Sequence, residues 1–331
     1  MTQTSPDAEE RSPGFMEDRW NEVLSGKKKW LGDAFIYMGD NSEKLWDEVR
    51  KNPDYYLDQE QQEITELVAA KLPDLICSNV EEFNANTRIF HIMMGPGDAA
   101  EKYDLELTKN FNDVAGRKIV DLNPVYLEDA EKKSKASDPN IPVTTHCESI
   151  YKKHDVPEGT VPVFTMFNVL GNFSGESENF PEEDLQEKLE QIHTEGGIYF
   201  ITLDSTDNEE RLARAYPPDL VTPFLLDPLR SIGIEDDITV TSEWDAVRHC
   251  LAHNGESEKY GKFGIVPGWR PPTNIVEKIA EKANYDHIRT YGVNGMKMYI
   301  LRARSKIECP EQSANDNQVS EINQPLAVPS V

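Results

Sequence analysis

The sequence predicts an α/β protein: a doubly wound, mostly parallel sheet ending in an antiparallel hairpin, joined to a second unit that forms a lid. Three observations lead there. Short apolar runs that read as strands alternate with helical patterns at roughly the spacing of βαβ units, which implies parallel pairing through right-handed crossovers. The last two apolar runs flank a Val-Asn-Gly turn, the signature of a hairpin. Residues 15–85 and 216–285 fall outside the alternating pattern and are long enough to cover one edge of the sheet.

The first strand is expected at Arg88–Met94 (RIFHIMM) and the second at Arg117–Leu122 (RKIVDL). A weaker third strand follows at Val143–His146, then Pro162–Phe167 (PVFTMF) and Gly197–Leu203 (GIYFITL). Helical patterns separate them over Ala99–Phe111, Pro124–Ser134 and Glu182–Glu195, the last with acids in its first turn, where they complement the helix dipole. His287–Gly292 and Met296–Ala303 form the closing hairpin. The domain reading is therefore 15–85 as the helical first part of a substrate domain, 86–215 as the nucleotide-type core, 216–285 as a substrate-domain insertion, and 286–307 as the final strands. Residues 1–14 and the tail 308–331 are polar, acidic and Pro-rich, a composition expected to stay disordered.

Sixty acidic against 34 basic side chains give a net charge of −26, which repels nucleic acid and anionic membrane surfaces at long range. Neither is expected as a partner. No apolar run approaches the length of a membrane span, the start lacks the basic and apolar regions of a signal peptide, and Cys77, Cys147, Cys250 and Cys309 show no CxxC spacing. A reducing, cytoplasmic setting is the expectation. His249, Cys250 and His253 sit close in sequence without a fourth ligand nearby, so no metal site is expected. The Lys27–Lys29 run reads as solvated surface, and no Ser-His-Asp or P-loop pattern occurs.

Chemistry concentrates at the carboxyl ends of the strands, where such sheets bind ligands. The first strand ends in Met94-Gly95-Pro96-Gly97-Asp98 and opens a helix, so two glycines let backbone approach a ligand at a helix start. A lone GxG also serves tight turns that bind nothing. The next strand, however, ends in Asp121, placed to accept both hydroxyls of a ribose. Ala100 stands where a dinucleotide fingerprint would carry its third glycine, which favours S-adenosylmethionine as the cofactor.

The fourth strand runs into Asn168-Val169-Leu170-Gly171-Asn172-Phe173. This segment resembles the Gly-Asn-Phe motif of the histidine Nα-methyltransferases of ergothioneine synthesis and of the related ergot-alkaloid methyltransferases that act on a prenylated tryptophan. The likeness extends to Tyr37–Glu63, Lys118–Ala130 and Ala215–Leu229, in order and spacing. It implies a Rossmann-like methyltransferase core and an enzyme that transfers methyl from S-adenosylmethionine to the α-amine of a free amino acid or derivative. It also implies that Asn172 and Tyr216 hold the substrate α-carboxylate and that Tyr37 and Tyr55 lie at the methyl-transfer centre. The expected cofactor contacts are Gly95, Gly97, Lys102, Asp121, Cys147, Glu148 and Asn168, with Glu148 standing in for the acid that marks the adenine slot.

Two departures from the family pattern matter. The late Glu and Ser that grip an imidazole have no counterpart, the nearest segment being Thr290-Tyr291-Gly292-Val293, which argues against histidine as the substrate. Trp244, Tyr260, Phe263 and Trp269 instead suggest an apolar or aromatic side-chain pocket. Met93-Met94 before the glycines and the altered adenine slot keep open a second reading, a protein that retains the fold as a binding or regulatory module without catalysis.

Overall fold

The computed structural model describes residues 14–305 apart from 82, 85, 98, 99 and 172–180. Five helices come first: α1 (Phe15–Leu24), α2 (Asp33–Ile36), α3 (Ser42–Arg50), α4 (Leu57–Ala69) and α5 (Leu72–Asn79). The alternating part then runs β1 (Ile89–Met94), a π turn over Glu101–Leu105, α6 (Glu106–Thr108), β2 (Val114–Asp121), α7 (Pro124–Ser137), β3 (Val143–Cys147), β4 (Val161–Phe167), α8 (Pro181–Ile192) and β5 (Ile198–Asp204). It is followed by α9 (Glu209–Ala215), α10 (Pro218–Ser231), β6 (Thr239–Asp245), β7 (Cys250–Ser257), β8 (Gly261–Trp269), α11 (Thr273–Lys282), β9 (Tyr285–Val293) and β10 (Met296–Ala303).

Among the described residues the main sheet has seven strands in the order β3-β2-β1-β4-β5-β10-β9. The first five pair in parallel, and β10 runs antiparallel to both β5 and β9. The order reverses beside β1, so the carboxyl ends of β1 and β4 flank the crevice where open α/β sheets take ligands. This is a doubly wound, Rossmann-like sheet with a terminal antiparallel hairpin. The strands keep the expected places with ends moved by one to three residues. β5 is buried at every position, as a central parallel strand covered on both faces should be.

The first helical unit departs from expectation. In place of one helix over Ala99–Phe111, the chain makes a π turn and a short α6. The wider turn carries Asp104 onto Thr165 of β4 and the Tyr103 ring to 5.3 Å from Phe167.

The lid combines the two segments outside the alternating pattern. β6, β7 and β8 form a separate antiparallel sheet of three strands. Leu31 and Gly32 donate backbone hydrogen bonds to Gly264 and Ile265 of β8 at 3.2 and 3.0 Å. A side chain at position 264 would run into Trp30 and the Lys29 carbonyl, so glycine there allows the two segments to touch. α10 packs on α2 and α3 despite Pro223 and Pro228 within it. α11, expected within the insertion, packs instead against α8 and β9, so the chain is back on the core by residue 273. No described helix is long and apolar enough to cross a membrane. The segments 1–13 and 308–331 lie outside the described residues.

Candidate active site

A cleft of about 890 Å³ lies between the lid and the carboxyl ends of β1, β2 and β4. At its floor Gly95 and Gly97 take φ of +63° and +56°, a region that only glycine enters at little cost. The Gly95 N–H donates to Val120 at 2.8 Å, tying the turn to β2. A side chain at position 97 would meet nothing within 4 Å, so the backbone there is open to the cleft. Asp121, at the end of β2, accepts hydrogen bonds from the backbone N–H groups of Asn123, Gly97 and Leu122, yet burial still pushes its carboxyl up to about 6. A carboxylate partly withdrawn from water beside a bare glycine turn fits donors from a polyhydroxy ligand.

Asn168 lines the same cleft at φ 56°, held by its N–H to Thr202 and by Asp204 N–H donating to its Oδ1 at 3.3 Å. Lys102, Cys147 and Glu148 do not line it. The Lys102 side chain is exposed, and the Cys147 thiol points at the Leu122 carbonyl. Glu148 pairs with Lys152 and lies 3.7 Å from Lys118, which with Lys152 holds its carboxyl below the usual range despite partial burial. Ser149, Ile150 and Tyr151 fill the wall that Glu148 was expected to provide.

The lid contributes an aromatic wall. The Tyr37 ring centroid lies 5.6 Å from Phe224 and 6.2 Å from Trp46; Trp46 meets Tyr55 at 5.8 Å, and Tyr55 meets Tyr216 at 5.7 Å, edge to face. Three separate stretches of chain thus bring Tyr37, Tyr55 and Tyr216 into one cleft. Burial raises the pKa of all three hydroxyls, so they remain protonated donors at neutral pH. Two contacts set their positions. Asn52 Nδ2 donates to the carbonyls of Arg214 and Ala215 at 2.7 and 3.1 Å, locking the turn before Tyr55 to the residues before Tyr216. Asp227 of α10 accepts from Asn41 N–H at 2.7 Å and so supplies, from another helix, the side-chain acceptor that the capping residue of α3 does not provide. Asn172, the fourth expected substrate contact, lies outside the described residues.

The aromatic side-chain pocket expected from the sequence is not there. Tyr260 and Phe263 pack edge-on against Trp20 at 5.1 and 4.9 Å inside the lid, Trp269 is buried in the core, and Trp244 lies against His249. None of the four lines the cleft. Strand periodicity is the reason: from Val266 onward the even positions of β8 face the cleft, and Trp269 points away. What β7, β8 and the residue after β8 present instead is Leu251, His253, Val266, Gly268 and Arg270. His253 contacts Ser242 Oγ through Nδ1 at 2.8 Å, and burial together with Arg270 brings its pKa down to about 4, so the ring is neutral. Among the described residues no group of three or more His, Cys, Asp or Glu is arranged to hold a metal ion.

No protein-family model matches the chain, and no curated protein matches it either. Solved structures resemble it at low identity. An S-adenosylmethionine-dependent methyltransferase from Clostridium acetobutylicum is 12% identical at a TM-score of 0.42, over 72% of this chain and 92% of that one. The PH0226 protein from Pyrococcus horikoshii is 15% identical at 0.42, over 77% and 98%. An O-methyltransferase from neocarzinostatin biosynthesis, solved with S-adenosylmethionine and 2-hydroxy-5-methyl naphthoic acid, is 11% identical at 0.42, over 87% and 61%.

Proposed function

We propose that the protein is an S-adenosylmethionine-dependent N-methyltransferase acting on the α-amine of a free amino acid or close derivative other than histidine. The observation that carries the reading is the meeting, in one cleft, of the Gly95–Gly97 turn and Asp121 from the sheet with Tyr37, Tyr55 and Tyr216 from the lid. The residues fit the cofactor: Asp121 is a desolvated acceptor suited to ribose hydroxyls, and the backbone at Gly97 is open. Gly95, Gly97, Asp121 and Asn168 would hold it, with Ser149 to Tyr151 as the adenine wall in place of Cys147 and Glu148. When bound, it supplies an electrophilic methyl group on a sulfonium.

The chain's own part is placement. Methyl transfer is an in-line displacement, so rate depends on holding a neutral amine at contact distance and excluding water. Tyr216, with Asn172 on the resemblance given above, would fix the carboxylate and thereby the amine. Tyr37 and Tyr55, protonated and ringed by Trp46 and Phe224, face the reacting groups with aromatic surface that favours positive charge. No carboxylate or imidazole in the cleft is assigned as a base; the ammonium proton leaves to solvent before the amine is seated.

Calorimetric titration with S-adenosylmethionine, followed by mass spectrometry of products from the twenty amino acids, tests this. Micromolar binding and a singly or multiply methylated amino acid are expected. Histidine as the best of the twenty would refute the side-chain reading. Absence of binding at millimolar ligand would favour the second reading, a non-catalytic module, whose support is that Glu148 turns to Lys152 rather than to the cleft.

A further inference from the structure

We propose that Arg270 is the anion seat of this cleft, the residue that reads the negative charge of a substrate carboxylate. The inference rests on the methyltransferase reading and deepens it, because the neutral groups of Asn172 and Tyr216 supply no full positive charge.

Arg270 follows directly on β8, is 6% exposed, and lines the cleft beside Tyr216 and His253. Burying a guanidinium is costly unless its charge is matched. Its match is Asp204 at the end of β5, with Nε 2.8 Å from Oδ2, and its Nη1 donates to the Trp269 carbonyl at 3.1 Å. Asp204 is itself engaged elsewhere: Tyr56 donates its hydroxyl to Oδ2 at 2.7 Å, and Thr206 N–H donates to Oδ1 at 3.0 Å. Tyr56 is held in turn by the Arg211 guanidinium, 3.5 Å from its ring centroid, and Arg211 pairs with buried Glu60.

This chain of contacts holds Asp204 beside the guanidinium and leaves donors of Arg270 over. A guanidinium has five N–H groups; Nη1 donates to the Trp269 carbonyl, and Nε, though close to Asp204, is buried without a hydrogen-bond partner among the described residues. The other cations lining the cleft hydrogen-bond to their carboxylates. Arg50 makes two hydrogen bonds to Asp58, at 2.8 and 2.6 Å, Lys188 pairs with Asp184 at 2.9 Å, and Lys152 pairs with Glu148.

Space is kept for an occupant. A Cβ at Gly268 would stand 3.0 Å from Nη1 and 3.6 Å from Nη2, so glycine lets the guanidinium lie against the strand. The nearby groups do not compete for the role. His253 is neutral, and the Tyr216 hydroxyl, kept protonated by burial, adds a second donor. A pre-oriented Arg fork beside a phenol is suited to a carboxylate, where charge-assisted and bidentate hydrogen bonds are strongest.

The test is binding to the full chain loaded with S-adenosylhomocysteine, measured calorimetrically for each of the twenty amino acids beside its methyl ester. At least one free amino acid should bind, with its ester about tenfold or more weaker. Arg270→Lys should reproduce that loss on the free acid and raise KM more than it lowers kcat, while S-adenosylhomocysteine affinity stays within about threefold. The ester comparison uses the wild-type chain, so it decides the matter even where a variant folds poorly. Esters binding as well as acids, or S-adenosylhomocysteine binding with no amino acid bound, would overturn the anion seat. Failure of S-adenosylhomocysteine itself to bind would remove the methyltransferase reading instead.

Discussion

Tyr55 and Tyr216 meet edge to face, ring centroids 5.7 Å apart and planes at 89°, although one precedes the five parallel strands and the other follows them. The contact joins the two halves of the lid inside the cleft. The proposal gives the hydroxyls distinct duties, so their removal should separate kinetically. Tyr216→Phe should lower kcat/KM by roughly ten- to a hundredfold, mostly through KM, since a hydrogen bond to a charged group is worth about 1.5–3 kcal/mol. Tyr55→Phe should act mainly on kcat. Steady-state kinetics with the best amino acid decides it, and identical profiles for the two variants would remove the division of roles.

Asp121→Ala should weaken S-adenosylmethionine binding at least about tenfold, because two hydroxyl contacts to a desolvated carboxylate would be lost. Calorimetry on the folded variant is the check. Unchanged affinity would take Asp121 out of the cofactor site.

The sheet was readable from sequence because parallel strands buried on both faces are near-continuous apolar runs, as in IFHIMM and IYFITLD. The glycine turn and Asp121 were readable for a related reason: backbone that must take positive φ or approach a ligand restricts residue type sharply. Placing aromatic residues was harder. Phe263 and Trp269 look alike in composition to Trp46 and Phe224, but only strand alternation and helix packing decide which face the cleft. Arg270 was missed because an arginine before two prolines resembles surface, and its burial depends on Asp204 and Tyr56, distant in sequence. Reading β8 with period two from Val266 would have pointed to it. Glu148 was expected in the cleft for its position after β3, and the nearby Lys118 and Lys152 draw it away.

Asp227→Ala should destabilise the lid by about 1–3 kcal/mol, the usual consequence of losing hydrogen bonds to a charged group. The carboxylate serves Asn41 through its N–H at 2.7 Å and its Nδ2 at 3.1 Å, and a Cβ at Gly39 would collide with it. Thermal unfolding should show the loss, and KM should rise because Tyr37 borders this turn. Asp227→Asn, which keeps one acceptor, should recover part of both. Equal stability of wild type and the alanine variant would mean that solvent replaces the carboxylate freely.

The last prediction concerns pH and the polar group buried beneath β1 and β4. Thr165 donates to the Asp104 carboxylate, and His91 bridges Thr165 and Thr108 at 3.0 and 3.4 Å. Burial pushes Asp104 up to about 7 from 3.8, and burial with Arg117 nearby brings His91 down to about 3 from 6.5. The two act in opposite senses. Between pH 3.8 and about 7 the folded state keeps the Asp104 proton that the unfolded chain has lost, so this contribution to stability is complete below 3.8 and disappears as pH rises through about 7. For His91 the unfolded chain holds the extra proton below 6.5, so stability falls as pH drops toward about 3. Asp104→Asn removes only the first effect. Its stability relative to wild type should therefore improve by about 2–3 kcal/mol between pH 5 and pH 8, whatever its absolute value. Urea unfolding of both proteins at the two pH values measures the difference, and parallel pH profiles would show that Asp104 is ionised in the folded protein throughout.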